Sequence, residues 1–200
     1  TLQPKIRPPM KPICLFRTSG ALVLPMLALA LVAVNRSEGA PLISEFLANT
    51  NSDTLADGSG AIHDWLELHN PEGDAYDLTG HFLTDDEENP RKWAFPAGTV
   101  LSPGEYRVVF ASGKDAAPGD ELHARFQLAS DGGYLALHGP GGEALSAYAD
   151  YPEQRSGVSY GISGAETHYF EVATPGAANG SGVLGFVADT KFSMARGFHD

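Results

Sequence analysis

Asp64-Trp65-Leu66-Glu67-Leu68-His69-Asn70-Pro71 is the stretch whose reading decides the fold. Side chains alternate across an extended strand, so Leu66 and Leu68 share one face and Trp65, Glu67 and His69 the other. Asn70-Pro71 then ends the run, because proline has no N–H for a ladder and asparagine favours turns. The pattern predicts a central strand with an aliphatic inner face. Its outer face would carry an indole, a carboxylate and an imidazole in a row.

Working outward, short apolar runs recur with turn signals between them, the rhythm of a β-sandwich. Leu42–Ala48 reads as a first strand, and residues 49–61 as a polar loop. Leu78 and Phe82 flank Gly80, where a bulge or bend is expected. Trp93 and Phe95 stand at period two and are assigned to the core. In Tyr106–Ala111, Val108 and Phe110 are expected to point inward, together with Leu66 and Leu68. Leu122–Leu128, Tyr134–His138 and Ala144–Ala149 continue the series, with the tightest turn signal at Gly139-Pro-Gly-Gly142. Ser156–Ser163 reads as a loop, residues 164–182 as a linker rich in small residues, and Val183–Val187 as a lone new strand.

These pieces carry a resemblance. Trp65-Leu-Glu-Leu-His-Asn70, Tyr76-Asp-Leu-Thr-Gly80-His-Phe-Leu-Thr-Asp-Asp86, Lys92-Trp-Ala-Phe-Pro96 and Leu101-Ser-Pro-Gly-Glu-Tyr-Arg-Val-Val-Phe-Ala-Ser-Gly113 follow one another in order. With Ile43–Asn49 before them and Gly133–Leu137 after, the set resembles the lamin-tail domain family in its bacterial secreted form, across roughly residues 41 to 162. The resemblance implies an all-β, immunoglobulin-like β-sandwich without a catalytic centre, used for binding or tethering. Residues 183–200 resemble the start of a further extracellular domain. The junction is similar to one in large secreted bacterial proteins, where a hexosaminidase-C-terminal-like β-domain follows and often a spore-coat-type kinase domain.

The chain's charge narrows the partners. The formal net charge is −12. Residues 1–40 hold five basic residues and one acidic, leaving eight basic against 24 acidic from residue 41 on, a balance of −16. Such a field repels phosphate backbones, so no nucleic-acid partner is expected. Residues 1–40 read as a signal peptide. Lys11 and Arg17 form a basic region, Ala21–Val34 an apolar run, and Ser37-Glu-Gly39 a candidate cut, with Met10 a candidate start. That run is shorter than the ~20 residues of a spanning helix, so membrane contact is expected only in transit; an uncleaved anchor is the alternative. Cys14 is the one cysteine, so the mature chain is built without disulfides.

Candidate chemistry is sparse. Asp85, Asp86 and Glu87, in the run Asp85-Asp-Glu-Glu88, are the candidate calcium ligands, against the reading of a solvated acidic loop. Asn49, Asn51 and Asp53 alternate but lack the glycine and closing glutamate of an EF-hand. The seven histidines show no ligand spacing and no cysteine partner, so zinc and other cofactors are not expected. No phosphate loop precedes a helix, and no hydrolase triad is expected. Trp65, Glu67 and His69 are therefore the candidate ligand-binding residues, unless a loop, Phe82 or Trp93 covers the indole. The expected function is a non-catalytic extracellular binding, adhesion or tethering module of a larger exported protein. The partner would be a protein or a cell-surface or extracellular polymer. The alternatives are an accessory domain of a secreted enzyme, kinase-like or hydrolytic, with its catalytic part beyond residue 200, and a purely structural spacer.

Overall fold

A computed structural model describes residues 34–37, 39–114 and 119–186. Residues 1–33 and the tail after Phe186 lie outside the described residues, so most of the expected signal peptide and most of the further domain are not among them. Among the described residues thirteen strands follow one another: β1 (Val34–Arg36), β2 (Leu42–Leu47), β3 (Asp64–His69), β4 (Tyr76–Asp77), β5 (Phe82–Thr84), β6 (Trp93–Ala94), β7 (Val100–Leu101), β8 (Tyr106–Ala111), β9 (Leu122–His123), β10 (Gly133–His138), β11 (Ala144–Tyr151), β12 (Ser159–Ser163) and β13 (Glu166–Phe170). No helix occurs among the described residues. One sheet runs β1-β11-β10-β5-β6, a second β13-β12-β2-β3-β8-β9, and β4 pairs with β7. All pairings are antiparallel except β8 with β9.

The core lies between the two larger sheets. Leu66 and Leu68 of β3 enter it with Ile43 and Phe46 of β2 and with Leu135, Leu137 and Tyr148 of the facing sheet. Phe46 sits at its centre, edge-on to Tyr148 at 5.2 Å and tilted against Tyr151 at 4.9 Å. Trp93 and Phe95 are both buried, as their spacing predicts.

A bulge in β2 decides which residues face outward. The register shifts between Ile43 and Glu45, so Ser44 is the extra residue. Without the shift, strict alternation would send Glu45 inward with Ile43 and expel Phe46. With it, Phe46 enters the core and Ser44 and Glu45 both face out. The backbone freed by the bulge is satisfied from the other sheet: Ile43 N donates to Ser146 Oγ at 3.0 Å, and Tyr148 donates from its hydroxyl to Ile43 O at 3.0 Å.

Several expectations are corrected. In β8 it is Val109 and Ala111 that join the main core, because Leu66 pairs with Val109 and Trp65 with Phe110. Phe110 is buried, but on the outer face with Leu47 and Trp65, and Val108 is half-buried beside them. The expected loop at residues 156–163 ends in β12, and the expected linker begins with β13. The domain also starts before residue 41, since β1 pairs with β11 and Ser37 N donates to Leu145 O. Val183 is not left alone: it forms a two-bond bridge with Tyr169, and Phe186 packs on Tyr169 and beneath the Arg155 guanidinium.

Candidate functional site: the outer face of the central strand

The outer face of β2, β3 and β8 carries three cross-strand rows: Leu47, Trp65 and Phe110; Glu45, Glu67 and Val108; Leu42, His69 and Tyr106. The structure places Trp65, Glu67 and His69 together as the alternation predicts. It does not leave them open to solvent. Trp65 and Glu67 are fully buried, and His69 is half-buried with its ring stacked on Tyr106 at 3.9 Å. Phe82 and Trp93 do not cover the indole. The cover is the segment 171–180, with Ala173 against the Trp65 cluster.

What binds that segment is a pair of directly opposed carboxylates, Glu45 and Glu67, both 0% exposed. Ser44 Oγ donates to Glu67 Oε1 at 2.7 Å, and Gly176 N donates to Glu67 Oε2. Ser159 Oγ donates to Glu45 Oε1, while Thr174 gives Glu45 its amide at 3.1 Å and its hydroxyl at 2.9 Å. Asn179 completes the clamp by donating to Ser44 O and Ile162 O, both at 2.8 Å. Gly161, opposite Glu45, makes this possible. A Cβ there would lie 2.2 Å from Ser44 O, so only glycine leaves room for the approach.

Like charges facing each other in a dry site disfavour ionisation. Burial pushes the Glu67 carboxyl up to about 7, its neighbour Glu45 adds to the rise, and the hydrogen bonds from Ser44 and Gly176 oppose it. Glu45 is raised as well, by burial, against the bonds from Ser159 and Thr174.

Beside the clamp an open groove of about 430 Å³ remains, between the 51–55 loop and residues 171–175. Leu47, Trp65, Leu55 and Val172 line it, and Val172 is 78% exposed. The Trp65 Nε1–H is buried without an acceptor among the described residues. A groove with an exposed valine and leucine at its rim is suited to a ligand that offers apolar surface.

The acidic run does not converge on one point. Asp85 pairs with Lys92 Nζ at 2.6 Å, Asp86 caps its own turn through Thr84 and the Glu88 amide, and Glu87 and Glu88 are exposed. A different set does converge. Asp57, His63 and His123 bring one ligand atom each within 4.8 Å of the others. Linear spacing does not reveal this grouping, because His123 arrives on β9, sixty residues after His63. The only prior signal was the number of histidines.

Residues 35–151 match the Lamin Tail Domain model, more than half of the chain. The chain thus belongs to the lamin tail domain family, whose members are non-catalytic, immunoglobulin-like modules. No curated protein matches the chain significantly.

Proposed function

We propose that this chain is an extracellular binding or tethering module of a larger exported protein, and that its ligand lies in the groove beside Trp65. The observation that carries the reading is the incomplete seal of the outer face: residues 171–180 cover Glu45 and Glu67 but leave the groove open, with the Trp65 side chain in its wall. An exposed valine and an exposed leucine at its rim favour a partner with apolar surface, such as an extracellular protein or a cell-surface polymer. The charge balance of −16 from residue 41 keeps phosphate backbones away. Export is supported by the basic region and apolar run before Val34. A cut ahead of β1, which pairs with β11, goes with this reading; Ala28-Leu-Ala30 offers small residues at the third and first positions before a cleavage point.

The test is retention of the purified full chain on the cell-envelope fraction of its producing cells. Val172→Arg should weaken retention at least about tenfold, the scale of a lost interface anchor. Leu184→Arg, outside the groove, should leave it unchanged. No retention, or retention indifferent to Val172→Arg, contradicts the assignment.

A further inference from the structure

We infer that Asp57, His63, His123 and Glu121 form a zinc site that ties the 56–63 loop to β9. His63 Nε2 lies 3.1 Å from Asp57 Oδ2, and Glu121 Oε2 lies 3.7 Å from His123 Nε2. His123 is 3% exposed, and its Nε2 has no hydrogen-bond partner among the described residues although it points into the cluster. A buried nitrogen left in that state costs stability unless something fills its lone pair. A cation does so here.

Each ligand is oriented from behind, as metal ligands are. His123 Nδ1 is 3.0 Å from Ser112 Oγ, which, as acceptor of the Nδ1 proton, leaves Nε2 free to coordinate. Asp57 Oδ1 is occupied by the Ser59 amide and hydroxyl and by the Ala61 amide, which leaves Oδ2 toward His63. Glu121 is positioned by the Gly58 amide at 2.8 Å. Phe110 forms an apolar wall, its ring 5.2 Å from that of His123 and 6.3 Å from that of His63.

The donor set selects the ion. Two imidazoles and two carboxylates suit zinc, whereas calcium takes six to eight oxygens. Two carboxylates neutralise a dication. Bonds of about 2.0–2.2 Å in a tetrahedron place ligand atoms about 3.4 Å apart; His63 and Asp57 stand 3.1 Å apart, Glu121 and His123 3.7 Å, and the atoms of Asp57, His63 and His123 all lie within 4.8 Å of one another. Four protein ligands make a closed, structural site. The site lies outside the Trp65 groove, so it stands or falls independently of the ligand proposed there.

The test uses the full chain without a histidine tag, stripped with EDTA and titrated with zinc chloride, and with cobalt chloride for a spectrum. One equivalent should bind, the cobalt form should show the visible bands of a tetrahedral site, and the melting temperature should rise with zinc. His63→Ala and Glu121→Gln, at partly exposed positions, should stay folded and lose more than about 100-fold in affinity, and Ser112→Ala roughly 10–100-fold. His123→Ala opens a hole in the packing, so the first two variants carry the decision. Absence of stoichiometric uptake by the folded chain, or uptake unchanged in both His63→Ala and Glu121→Gln, overturns the site.

Discussion

Glu67 is a core residue with the side chain of a surface one, and its energetics follow from that. Protonated, it keeps the Ser44 and Gly176 hydrogen bonds without a charge in a dry site; ionised, it also faces Glu45. An acid whose folded pKa exceeds its unfolded value makes the folded state bind more protons. Its contribution is then fully present below the unfolded value of 4.5 and is lost as pH rises through about 7. Stability should therefore decline across that window. Glu67→Gln should flatten the decline, which denaturant melts at a series of pH values would show. An unchanged slope would mean that Glu67 is hydrated and its pKa ordinary.

At the scale of elements, the edges of the domain departed from expectation while its centre did not. The alternation in β3 and the Trp93/Phe95 pair are periodic signals, and they survive because strand geometry alone dictates them. The parity of β8 did not survive: Val108, Val109 and Phe110 are consecutive apolar residues, so either face could be taken as the inner one. Pairing with β3 decides it, and the outer choice becomes acceptable only because Leu47, Trp65 and Phe110 form a second cluster. The bulge at Ser44 leaves no mark in composition. Residues 171–180 read as a linker because proline, glycine and small residues dominate, yet Thr174, Gly176 and Asn179 spend their donors on β2 and β3. The N-terminal edge has a direct consequence. With β1 paired to β11, N-terminal sequencing of secreted material should find a start at or before Val34. A start between Ser37 and Pro41 would show that the domain is complete without β1.

For the whole molecule, the family, the all-β class and the two-sheet architecture were legible from ordered strand motifs. The candidate sites were legible only in part. Trp65, Glu67 and His69 do share a face, but only Trp65 reaches the groove; long-range contacts decide that, and the same holds for Asp57, His63 and His123. The account centres on residues 171–180 as part of the sandwich, since their docking buries the acid pair and shapes the groove. Native-state amide hydrogen exchange at Thr174 and Gly176 tests this most directly. Both amides donate to buried carboxylates, so they should be protected to an extent comparable with the neighbouring β12 and β13 amides. Exchange at the rate of an unprotected loop would contradict the account.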